Sequence, residues 1–96
     1  RQMCIRDRLA ALHVAREADG GSSAVVELES VLVDARSGAL LHLGRYLERE
    51  ELAGEDPALV VAGWDRALER VLARLEHDLG QALARADGAG PGAPAR

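Results

Sequence analysis

The sequence predicts an α+β fold: an antiparallel β-hairpin packed against one long C-terminal amphipathic helix, expected to be a fragment of a larger domain. Three observations lead there. Residues 24–33 (AVVELESVLV) alternate with period two and are rich in β-branched side chains. A turn of hairpin length, residues 34–38, separates that run from a second alternating run at 39–48. After Asp56-Pro57, apolar residues recur at three- and four-residue steps up to about residue 86.

Taken in order, residues 1–8 (RQMCIRDR) differ from everything after them. They hold the only Cys, Met and Ile of the chain, whereas the remainder has no Ile, Lys, Asn, Phe or Thr and uses Arg for every basic position. The octapeptide resembles translated sequencing-adapter sequence, so it is expected to be an extraneous segment outside the fold. Cys4 then says nothing about redox compartment, and no second cysteine exists to form a disulfide. It also lacks the apolar run and small residues that precede a lipid-modified cysteine.

Residues 9–16 (LAALHVAR) carry an alternation, Leu12 and Val14 against His13 and Ala15, diluted by helix-forming alanines; they would supply a third, N-terminal strand. The glycines and serines of 18–23 make a loop. In the next run Ala24, Val26, Leu28 and Leu32 share one face, with Val25, Glu27, Glu29, Val31 and Val33 on the other. Gly38 supplies positive φ to the turn. In the second run Leu41, Leu43 and Leu47 share a face opposite His42, Gly44, Tyr46 and Glu48, and the leucine side is expected to lie under the helix.

Residues 49–55 read as a polar connection. Asp56 is the expected N-cap, with Pro57 at the first helical position, where its missing N–H costs nothing. The apolar stripe then runs through Val60, Trp64, Ala67, Leu68, Val71, Leu72, Leu75, Leu79, Ala82 and Leu83, with Asp65, Arg66, Glu69, Arg70, Arg74, Glu76, His77 and Asp78 on the other surface. Arg74 and Asp78 stand at i, i+4. Residues 87–96 (DGAGPGAPAR) have no hydrophobic pattern and are expected to be a disordered tail, leaving 9–86 as the C-terminal part of one α+β domain.

Composition excludes some function classes. The net charge is −4, and it becomes about −6 when the octapeptide's three Arg and one Asp are subtracted. A Lys-free acidic chain with one Trp and one Tyr lacks the basic footprint and the stacking platform of a nucleic-acid binder. It lacks equally the basic face that would hold a helix on anionic lipid, and no run approaches the ~20 apolar residues of a membrane span.

No residue pattern points to catalysis, a cofactor or a metal. His13, His42 and His77 fall on three separate elements without H-x-x-x-H or Cys partners, so no local spacing supports zinc. Glu27 and Glu29 share a strand face, but nothing in the sequence raises either pKa or places a nucleophile beside them. Ser22, Ser23, Ser30 and Ser37 have no G-x-S-x-G setting, and no G-K-[ST] follows Gly20-Gly21. Glu48, Glu50, Glu51, Glu55 and Asp56 cluster ahead of the helix without calcium-loop periodicity, and the helix macrodipole accounts for acids there. Trp64, on the apolar stripe, is expected in the core.

The order of pieces carries one resemblance. A strand ends in L-V-D (residues 32–34), a turn carries Ser37-Gly38, and a second strand follows. A loop then ends in D-P-A-L-V (56–60), and a helix reads A-L-x-x-V-x-x-x-L-x-x-D-L (67–79). This arrangement, about two-thirds of the chain, resembles the C-terminal portion of the ABC-type transport auxiliary lipoproteins. The resemblance implies a non-enzymatic periplasmic subunit, anchored at the outer membrane by an acylated N-terminal cysteine that has no counterpart here. It implies a protein partner in an MCE-type envelope system that moves lipid or other hydrophobic compounds, with no catalytic residues to carry over. Two readings from other classes stand beside it: the C-terminal lobe of an enzyme whose active site lies in a missing N-terminal part, and an unrelated cytosolic α+β interaction module. Since a hairpin plus one helix leaves a sheet edge unpaired, the fragment alone is expected to be marginal or to self-associate.

Overall fold

A computed structural model describes residues 3–88. Three antiparallel strands, β1 (Met3–Arg16), β2 (Ser22–Asp34) and β3 (Leu40–Leu52), form one open sheet in the order β1-β2-β3. One helix, α1 (Pro57–Gly88), lies across one face of the sheet, over β2 and β3. The expected α+β architecture is therefore present, with the N-terminal run as a full third strand. Residues 89–96, the greater part of the expected tail, lie outside the described residues.

The turn between β2 and β3 forms because Asp34 serves as its hub. The Asp34 carboxylate accepts from the N–H groups of Arg36 (2.9 Å) and Ser37 (3.3 Å), while its backbone carbonyl accepts from Gly38 N–H at 2.8 Å. Gly38 takes φ of +73°, a conformation that a Cβ would strain. The register that results sets Leu28 opposite Tyr46, Val26 opposite Glu48 and Ala24 opposite Glu50. On the other side of β2, Leu28 faces Leu9 and Val26 faces Leu12, and the pairing shifts by one residue between Leu9 and Ala11.

The register determines what lies under the helix. Val26 and Leu28 of β2, Tyr46 of β3, and Ala67, Val71 and Leu75 of α1 form the buried cluster, with Trp64, Leu68 and Leu79 packed against it. Each large apolar side chain removed from water there contributes roughly 1.5–3 kcal/mol. The β2 face read from the sequence, Ala24, Val26, Leu28 and Leu32, is buried, as is Val25 on the opposite face.

The β3 face is the reverse of the one expected. Leu43 and Leu47 point away from the helix and are 66% and 48% exposed, while Tyr46 beneath it is 2% exposed. The cause is the helix surface that lies above β3, which carries Arg66, Arg70 and Arg74; these need carboxylates, and Glu48 and Glu50 supply them from the Tyr46 face. The same pairing keeps β3 extended to Leu52, so most of the expected polar connection is strand. The helix starts at Pro57 as its Asp-Pro opening predicts, and Val60 N–H donates to the Asp56 carbonyl at 3.0 Å. Met3 to Arg8, expected outside the fold, continue β1 opposite residues 29–34, although the side chains from Cys4 to Arg8 are all exposed.

Candidate functional site

The residues that chemistry would need are dispersed. His13 and His77 are exposed on β1 and α1, and His42 lies on β3. Among the described residues no group of three or more His, Cys, Asp or Glu is placed to hold a metal ion. Glu27 and Glu29 are neighbours on the sheet face away from α1, where Arg45 pairs with both and Arg8 reaches Glu29 at 2.9 Å. The Arg45 and Arg8 guanidinium groups hold the Glu29 carboxyl below the usual carboxylate range, the opposite of what a general acid needs. Ser22 Oγ donates to Glu55 at 3.0 Å, and Ser30 Oγ is buried with no hydrogen-bond partner among the described residues.

The acidic run ahead of the helix serves the sheet rather than the helix terminus. Glu50 accepts from Arg66 Nε at 2.9 Å and Arg70 Nη1 at 2.8 Å; Glu48 accepts from Arg70 Nε at 2.9 Å and Arg74 Nη1 at 2.8 Å. The five side chains alternate in sign as a ladder joining α1 to β3. Arg70 first, then its partner arginines, keep both carboxylates ionised below the ordinary range. The signal was present in the sequence as Glu48-x-Glu50, two strand residues on one face, against Arg66, Arg70 and Arg74 at helical i, i+4 steps.

One further contact ties the same two elements. Tyr46 Oη donates to Asp78 Oδ2 at 2.6 Å and lies 3.0 Å from His42 Nε2, which donates to it in the tautomer that carries the proton there. Asp78 thus turns toward the sheet instead of pairing with Arg74, whose guanidinium sits 5.4 Å over the Tyr46 ring. Burial, reinforced by the Asp78 carboxylate, pushes the Tyr46 phenol up to about 12. Gly44 is required here: a Cβ at that position would stand 2.6 Å from Tyr46 Oη and 2.7 Å from His42 Nε2.

These contacts make the two sheet edges unlike. On β3, Arg70 Nη2 donates to the Arg49 carbonyl at 2.6 Å and Arg74 Nη1 to the Leu47 carbonyl at 3.4 Å, so side chains from the helix occupy backbone acceptors of that edge strand. On β1 the described contact with the helix is Trp64 Nε1–H donating to the His13 carbonyl at 3.1 Å. Trp64, expected in the core, is half-buried at this boundary.

Because α1 sits over β2 and β3, the sheet face at β1 is uncovered. Leu9 and Leu12 lie on the helix side, opposite core residues Leu28 and Val26, yet are 53% and 46% exposed. At helical spacing, the flank of α1 away from its arginines carries Leu68, Leu72, Leu79 and Leu83, with Leu72 48% exposed. An apolar cleft floored by β1 and walled by α1 is the site this geometry defines, beside an edge strand whose outer side has no neighbour in the sheet.

The described part of α1 is not apolar enough to cross a membrane. No family model, no curated protein and no solved structure matches the chain.

Proposed function

We propose that this chain is the docking portion of a non-enzymatic auxiliary subunit in an ABC/MCE-type envelope transport assembly that moves lipid or another hydrophobic compound. On this reading it is held at the periplasmic side of the outer membrane by an N-terminal lipid anchor outside this sequence. The order of strand, Ser37-Gly38 turn, strand, Asp56-Pro57 opening and amphipathic helix supports the family part of the reading. The docking part rests on a single observation: β1 and the adjoining flank of α1 offer an apolar cleft and an open strand edge, while helix arginines occupy the β3 edge. The work this reading assigns to the chain is association.

The test uses the intact gene from the source genome, expressed in a diderm bacterium with labelled palmitate. The expected product carries the label, fractionates with the outer membrane and co-purifies with an MCE-type subunit. A product that remains unlabelled in the cytosol refutes the assignment.

A further inference from the structure

The cleft of α1 and β1 has an electrostatic rim as well as an apolar lining. The helix has four arginines; Arg66, Arg70 and Arg74 are bound to β3, and Arg85 lies in the last turn. On the flank above the cleft, Asp65, Glu69 and Glu76 are exposed and have no ion-pair partner among the described residues. They stand at helical three-, four- and seven-residue steps from Leu72, so they border the leucines directly. The helix is therefore polarised across its width, with Arg66, Arg70 and Arg74 neutralised on one flank and Asp65, Glu69 and Glu76 unneutralised on the other.

The space beside α1 has a definite width. Strands lie about 4.8 Å apart, and packed helices about 8–10 Å axis to axis. A second helix laid against the leucine flank of α1 would run above β1 and its outer edge, where Leu9 and Leu12 are exposed. The flank between Leu68 and Leu83 spans about 23 Å at 1.5 Å per residue, or four helical turns. A second copy of this chain fits poorly, since it would set the same unpaired acids against each other on a chain of net charge −4. We propose that the cleft receives an amphipathic α-helix from a partner protein, apolar on the face toward Leu68, Leu72 and Leu12 and lined with Lys or Arg along the edge that meets Asp65, Glu69 and Glu76. This inference rests on the docking reading of the cleft and is independent of membership in a transport assembly.

The test measures binding of two fluorescent 21-residue peptides to the full chain by anisotropy. Both have leucine at heptad a and d positions; one carries lysine and the other glutamate at the flanking positions. The lysine peptide is expected to bind, the glutamate peptide to bind at least tenfold more weakly, and the difference to shrink with salt. The triple variant Asp65→Lys/Glu69→Lys/Glu76→Lys should lose about tenfold for the lysine peptide, as three exposed ion pairs turn repulsive, and should reverse the preference. Leu72→Gln, at another exposed position, should weaken both peptides. Asp19→Lys/Glu51→Lys, in the β1–β2 turn and on the sheet face away from α1, should leave affinity within twofold. Unchanged circular dichroism and urea midpoints establish that each variant is folded. Absence of binding, an equal loss in the Asp19/Glu51 variant, or a dimer in sedimentation that peptide cannot displace overturns the proposal. None of these outcomes depends on lipidation, so each proposal can fail without the other.

Discussion

Tyr46 joins β3 to α1 through one oxygen, and removing that oxygen has two separable effects. In Tyr46→Phe the ring stays buried beneath Arg74, but Asp78 loses the 2.6 Å donor that satisfies it in a half-buried position. A hydrogen bond to a charged group contributes about 1.5–3 kcal/mol, so the variant should be less stable by that amount at pH 7. The second effect appears at alkaline pH. The folded phenol titrates at about 12 against an ordinary value of 10.0. Between those values the unfolded chain has released the proton and the folded chain has not, so rising pH favours unfolding. Stability that is fully present below pH 10 is lost toward pH 12, to the extent of about 2–3 kcal/mol at 1.36 kcal/mol per pH unit. With one Tyr and no Lys in the sequence, little else titrates in that window. The assay is urea unfolding followed by Trp64 fluorescence and far-ultraviolet circular dichroism at pH 7, 9, 10.5 and 11.5. Wild type should weaken across the last two steps, the variant should start lower and stay nearly flat, and the two should converge. A variant within 0.5 kcal/mol of wild type at pH 7, or a wild type flat to pH 11.5, refutes the reasoning.

Three further outcomes follow from the same contacts. Glu48 and Glu50 have depressed pKa values, so their contribution is present above the ordinary 4.5 and is lost as pH falls through the folded values; the melting temperature of wild type should drop below about pH 4.5, and Glu48→Gln/Glu50→Gln should flatten that acid limb. Val71→Ala, in the fully buried cluster, should cost about 2 kcal/mol in urea unfolding, whereas Leu72→Ala, on the exposed flank one position along, should stay within ~0.5 kcal/mol. Ser30→Ala removes a buried hydroxyl without a hydrogen-bond partner, so the same assay should find it neutral or stabilising by up to about 1 kcal/mol, and a loss above 1 kcal/mol would reveal a partner.

Local chemistry was legible in the sequence, and relative placement was not. The alternation of 24–33, the Asp34-to-Gly38 turn and the Asp56-Pro57 opening are rules acting over a few residues, and each appears in the structure where expected. The buried face of β3 was misread because three leucines outweigh one tyrosine in a count of apolar residues. What decides the face is the helix surface above it, and there Arg66, Arg70 and Arg74 demand Glu48 and Glu50. β1 was underrated because Ala10, Ala11 and Ala15 favour helix locally, a preference that pairing along the whole of β2 overrides. The cleft had no sequence signal of its own: Leu72 reads as part of the helix's apolar stripe and Leu12 as one residue of a third strand, and the offset of α1 over β2 and β3 leaves both, with Leu9, exposed.

The claim that association uses the β1 side is tested most directly by hydrogen exchange read by mass spectrometry, with and without the lysine-flanked peptide. Backbone amides of β1 near residues 9–16 and of α1 near 68–83 should gain protection on binding, with the β3 segment near 43–49 unchanged. Protection concentrated on β3, the strand whose carbonyls the arginines already occupy, would contradict the account.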